Sequence, residues 1–166
     1  MSVATYSPKN MVITLGGLPV TGFGDSDMVT ISLDEPKWAK YTSVDGTVSR
    51  SHNVADSGRM VFTLNQTSAA NQIFSSALQL DLANPDGSNT FGVAIRDENT
   101  SGAGTFYLGT GSWVEGMPES AYGKEISTRE WVVEISDIKW NISGNESSNI
   151  VGLASTAAAV GAIAGL

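Results

Sequence analysis

One imidazole, His52, limits the acid–base chemistry available to this chain of 166 residues. A serine-hydrolase triad needs a nucleophile, a base and an orienting acid. His52 sits between Ser51 and Asn53 in a polar stretch, and no nucleophile-elbow pattern occurs anywhere in the chain. Its expected place is therefore solvent or an interface. Asp25-Ser26-Asp27 has the carboxylate spacing of a calcium loop, but the remaining loop positions are missing and a solvated turn is expected. Gly109-Thr110-Gly111 lacks dinucleotide-loop spacing and a following helix, so it reads as a turn. The 17 acidic residues offer many carboxylate pairs, of which only spatial separation is diagnostic for glycoside hydrolysis. Among the four tryptophans, Trp131 and Trp140 fall on apolar strand faces and are assigned to the core. Trp38 and Trp113 stay open as contact-surface residues. Together with Tyr107 they are the stacking platforms of an alternative reading, a carbohydrate-binding β-sandwich. No enzyme, cofactor or metal site emerges.

Composition points the same way. The chain has no cysteine, which removes disulfide scaffolds, thiolate nucleophiles, thiolate zinc and iron–sulfur clusters. With one histidine, two-histidine zinc sites are excluded as well. Nine Lys and Arg against 17 Asp and Glu leave a net charge of −8, a poor endowment for gripping phosphates. The N-terminus shows no charged region followed by an apolar run, so no signal peptide is expected. After Glu146 no side chain is charged, and residues 150–166 read IVGLASTAAAVGAIAGL. A membrane span needs about 20 mostly apolar residues. This run is slightly short, built mainly of Ala and Gly, and lacks a basic flank. An arm packed on protein through Ile150, Val151, Leu153, Val160, Ile163 and Leu166 is expected, with a disordered tail and a membrane anchor as the alternatives.

The elements that must position these residues are mostly strands. Val29, Ile31 and Leu33 alternate with polar neighbours, as do Met60, Phe62 and Leu64, and Phe91, Val93 and Ile95. From Arg129 to Ile142 the apolar parity flips: Trp131, Val133 and Ile135 are odd, whereas Ile138, Trp140 and Ile142 are even. Keeping both sets on one face requires an inserted residue, hence a bulge at Ser136-Asp137; the alternative is two strands joined by a tight bend. One helix is expected over residues 68–82, with Ser68 as N-cap, Ala70, Ile73, Phe74, Ala77, Leu78 and Leu82 at helical spacing, and Asn84-Pro85-Asp86-Gly87 as its stop. The polar stretch 43–58, with a hairpin-turn signal at Asp45-Gly46, reads as a long loop or extended hairpin projecting from the body. Loops over about 12 residues in a compact domain are usually functional or disordered. The fold class is therefore mainly β, a sandwich or barrel of short antiparallel strands with one flanking helix. A single domain is expected over 1–146, and the uncharged arm over 147–166.

Three features stand in order after an N-terminal strand pair: the segment Asp45-Gly-Thr-Val-Ser-Arg-Ser-His-Asn53, the strand Arg59-Met-Val-Phe-Thr-Leu64 and the helix entry Gln66-Thr-Ser-Ala-Ala-Asn71. In that arrangement the chain resembles the tail tube proteins of contractile-tailed bacteriophages, closely over residues 10–82 and by general character beyond. The resemblance implies a virion structural protein that self-assembles into hexameric rings stacked as a tube. A long loop and the termini then reach neighbouring subunits. It places self-assembly contacts at Val44, Asp45, Gly46, Val48, Arg50, His52, Asn53 and Arg59. The implied partners are further copies of the chain and the sheath, baseplate and tape-measure proteins. DNA passes through without sequence-specific binding, no membrane is involved, and the acidic balance suits a wall along which DNA slides.

Overall fold

Side chains alternating with period two fold most of this chain, and the computed structural model, which describes residues 4–100 and 102–144, shows where they point. The strands are β1 (Met11–Leu15), β2 (Leu18–Pro19), β3 (Val29–Leu33), β4 (Trp38–Thr42), β5 (Val48–His52), β6 (Gly58–Asn65), β7 (Phe91–Asp97), β8 (Thr105–Val114) and β9 (Thr128–Asn141). A single helix, α1 (Ala70–Ala83), separates β6 from β7, and a short 3-10 turn (Pro8–Asn10) precedes β1. Seven strands form one sheet in the order β2-β1-β7-β8-β9-β6-β3, and β4 and β5 form a separate pair. Every pairing is antiparallel. The chain is mainly β, as its alternation requires.

The seven-stranded sheet curls. Met11 of β1 and Met28 and Val29 at β3 line one shared cavity, although four strands separate β1 from β3 in the sheet order. Curling turns one face inward, where Ile13, Leu15, Met60, Phe62, Leu64, Val93, Ile95, Val133 and Ile135 are buried. α1 closes this core with Phe74, which packs on Phe62 at a 5.2 Å ring separation and stacks on Trp131 at 5.5 Å. The Trp131 indole N–H donates to Asn71 Oδ1 at 2.9 Å, so the one polar atom of that buried ring is satisfied. The helix falls where expected, but its N-cap is corrected: Ala69, not Ser68, caps it, with no side-chain capping bond, and the first helical residue is Ala70. The Ser68 hydroxyl accepts from the Ala70 amide at 3.2 Å, and the helix ends at Ala83, before Asn84-Pro85. Leu82, by contrast, is exposed.

The parity flip in β9 is a bulge within one continuous strand. Ile135 pairs with Gly58, while the Ile138 amide donates to the Asp56 carbonyl at 2.9 Å. Three residues of β9 thus span two of its neighbour, which turns both Ile135 and Ile138 inward. β8 carries a matching insertion at Thr110-Gly111: Phe91 pairs with Ser112 and Val93 with Gly109.

The reading of Gly109-Thr110-Gly111 as a turn is corrected, because these residues lie in the middle of β8. Both glycines have a steric cause. A Cβ on Gly109 would lie 3.0 Å from two carbons of Ile135, and Gly111 adopts φ +60° with its Cβ position blocked by the Ser136 hydroxyl. Trp140 is a second correction: Trp131 is buried at 5% exposure, but Trp140 is 50% exposed. Past the bulge, β9 has outrun β6, which begins at Gly58, and Trp140 lines an open recess with Ile31, Tyr107 and Ile138 instead of the core.

Candidate assembly surface

Between β3 and β6 the chain leaves the sheet and builds β4 and β5 as a hairpin of its own. Trp38 pairs with His52, Lys40 with Arg50 and Thr42 with Val48 on one face, and Ala39 with Ser51 and Tyr41 with Ser49 on the other. The turn forms because Ser43 and Thr47 close it by a backbone bond of 2.8 Å, and the Asp45 carboxylate accepts the Thr47 amide at 2.9 Å. That bond, together with one from the Thr47 hydroxyl, holds the Asp45 carboxyl below the usual carboxylate range. The expected stretch 43–58 thus begins too late. The hairpin starts at Trp38, and residues 53–57 only lead back to the sheet. A turn at Asp45-Gly46 needs two arms of matched length, and that symmetry was the available signal for Trp38, Lys40 and Tyr41.

Every residue of both arms is exposed. Two-stranded hairpins without a packed face are marginally stable in water, so the root must be held. Asp56 supplies the hold, receiving Lys37 Nζ at 2.5 Å and Lys139 Nζ at 3.2 Å, while Lys139 also lies 3.3 Å from Asp137. Hydrogen bonds from Lys37 and then Lys139 keep the Asp56 carboxyl below the usual carboxylate range, and the bond to Asp56 raises the Lys139 ammonium. Lys37 Nζ further donates to the Ala55 carbonyl at 2.9 Å, the Asn53 amide donates to the Lys37 carbonyl at 2.8 Å, and Asn53 Nδ2 donates to Glu35 at 2.7 Å.

Of the contact residues expected from sequence, Val44, Asp45, Gly46, Val48, Arg50 and His52 lie on this hairpin, and Asn53 lies in its root. Arg59 does not join them. It stands on the outer face of the sheet, where it pairs with Glu134 at 2.9 Å. Ile150, Val151, Leu153, Val160, Ile163 and Leu166 lie outside the described residues. Trp38, Trp113 and Tyr107 occupy three different surfaces. Trp38 is on the hairpin under the Arg50 guanidinium, Trp113 faces outward on β8, and Tyr107 lines a recess with Ile31 and Ile138. They form no common platform for a sugar. Among the described residues no three His, Cys, Asp or Glu side chains cluster as metal ligands, and no helix is long and apolar enough to cross a membrane.

A sequence model for the bacteriophage PhiTE tail tube protein matches residues 3–143. The chain belongs to that tail tube family. It is a phage tail structural protein, not an enzyme. The tail tube chain is also 22% identical over 149 residues to structural protein ORF10 of Pseudomonas phage KPP10, covering 86% of this chain and 84% of that protein. Its fold is similar to the sheath/tube terminator of an extracellular contractile injection system, PVC, in the extended state, with a TM-score of 0.54 at 11% identity over 83% of this chain and 97% of that one. The tube-terminating cap of the anti-feeding prophage is similar with a TM-score of 0.51 at 15% identity, covering 86% of this chain and 97% of the other. A chain of the PVC sheath–tube complex also scores 0.51, at 13% identity over 82% and 91%.

Proposed function

We propose that this tail tube protein assembles with copies of itself into hexameric rings that stack into the channel for DNA delivery, and that the β4–β5 hairpin reaches the neighbouring ring. The hairpin carries this reading. A tail structural protein has no catalytic use for an arm whose every side chain is exposed, and exposed sheet surface of this kind attracts another chain. The tethering of its root by Lys37, Asp56 and Lys139 places the arm without burying it. The uncharged residues 147–166 serve as a second arm against a neighbouring subunit, and the body over 1–146 forms the ring. The structural neighbours, sheath–tube complexes and terminators, support a sheath outside the tube; the further partners in this reading are baseplate and tape-measure proteins, at its end and in its bore. The acidic balance of −8 favours a wall that DNA slides past without adhering.

Negative-stain electron microscopy of the purified chain at high concentration, paired with light scattering for mass, tests this. Rings or hollow tubes of six-fold symmetry are expected. A monodisperse monomer at every concentration contradicts self-assembly.

A further inference from the structure

The hairpin stores a like-charge pair. On its Trp38 face, Lys40 stands directly opposite Arg50 in the ladder, an arrangement that weakens a strand pair by itself. Among the described residues neither cation has a carboxylate partner. Arg50 instead lies 3.9 Å above the Trp38 ring, and His52 stands 4.8 Å from it. This face therefore presents an aromatic ring and two cations with no acid among them, on a chain whose net charge is −8.

A complementary surface lies at the far end of the strand that launches the hairpin. β3 ends at Leu33, just before the hairpin root, and begins at Val29, just after the segment 22–28. That segment and the start of the chain enclose a cavity of about 620 Å³, lined by Met11, Phe23 and Met28 and rimmed by Asp25, Asp27 and Lys9. Neither Asp25 nor Asp27 has an ion-pair partner among the described residues. Cavity and hairpin root are separated by the length of β3, about 17 Å for five residues.

We infer that the Trp38 face of one copy's hairpin seats in the Asp25–Asp27 cavity of a second copy, with Trp38 against the apolar lining and Lys40 and Arg50 against the carboxylates. This rests on the self-assembly reading above and names the surface that receives the hairpin. Because the hairpin and the cavity sit at opposite ends of β3, the contact is heterologous: each copy gives at one end and receives at the other. Such a contact repeats along an axis instead of closing on itself. Opposite charges at the seat fix register and orientation, and desolvating them strengthens the pairing.

Charge reversal in the full-length chain tests it. Lys40→Glu with Arg50→Glu, and separately Asp25→Lys with Asp27→Lys, each place like charges at the seat. Both variants are expected to keep the wild-type circular dichroism and to lose pelletable tubes by about tenfold or more. Combining all four substitutions exchanges the charges and restores tubes. If either two-residue variant assembles like wild type, or the folded four-residue variant stays dispersed, the inference is overturned. If the unmodified chain forms no tubes at all, the self-assembly reading fails first and takes the inference with it.

Discussion

The curled sheet and the β4–β5 hairpin are built from the same local pairing and owe their stability to different things. In the sheet, each strand turns one row of side chains inward, and Met60, Phe62, Leu64, Ile95 and Val133 are completely buried. In the hairpin no residue of either arm is buried, and the ladder hangs from a root of polar contacts around Asp56. The sheet is stable because of what it removes from water. The hairpin gains almost nothing that way. Fourteen of the fifteen residues from Trp38 to His52 are exposed, all but Ser43, and this is the surface that the proposed assembly uses.

If that contrast holds, damage to the core and damage to the hairpin must separate cleanly. The largest effect is expected at Phe74, which touches both Phe62 and Trp131 from the helix. Phe74→Ala should cost about 3–5 kcal/mol and lower the Tm by about 10 °C, read by thermal denaturation. A loss comparable to that of a surface substitution would mean that α1 is not part of the core.

Next comes the paired bulge. Gly111→Ala sets a side chain at φ +60° against the Ser136 hydroxyl and should cost about 1–3 kcal/mol. Adding Ser136→Gly should recover only the part due to the clash. Full recovery would show that the backbone conformation costs nothing.

The bulge also shows how far sequence alone reaches. The parity change between Ile135 and Ile138 was legible, because a strand has only two faces and both sets are apolar. The helix was legible from the spacing of Ala70, Phe74 and Ala77, though its cap is Ala69 and not Ser68. β8 was not. Thr105, Gly109 and Ser112 take three of its four buried positions, with Val114 the fourth, so the packing partner, Ile135, had to be known before small residues made sense there. Trp140 was misassigned for a related reason: alternation reports which side chains share a face, and says nothing about where the neighbouring strand ends. As for the assembly surface, the turn at Asp45-Gly46 was visible. The N-terminal arm, with Trp38 and Lys40, carries no apolar period because it is fully exposed, and only the matched arm length about the turn points to it.

Smaller effects sharpen the hairpin side. Asp56 titrates below the usual carboxylate range when held by Lys37 and Lys139, so its contribution is complete above the unfolded value of about 4. It disappears as the pH falls through the folded value. Hydrogen exchange, corrected for intrinsic rates, should show the Asn53 amide losing protection below about pH 4 while the amides of β6 and β9 keep theirs. Asp56→Asn should produce the same loosening at neutral pH. Uniform loss across sheet and hairpin would make the root part of the global folding unit.

The smallest change is expected at Arg59. Its pairing with Glu134 lies on the outer face of the sheet, and Arg59→Ala should cost less than about 1 kcal/mol and leave assembly intact. Lost assembly in that variant would move the contact surface from the hairpin to the sheet.

The most direct measurement removes the hairpin altogether. Residues 38–52 are replaced by a short Gly-Ser bridge between Lys37 and Asn53, whose backbones already bond at 2.8 Å. Thermal denaturation and electron microscopy are then run on the same preparation beside the unmodified chain. The expected result is a Tm within a few degrees of wild type and an absence of stacked tubes. Tubes that persist, or a chain that no longer folds, would contradict the division of labour between sheet and hairpin.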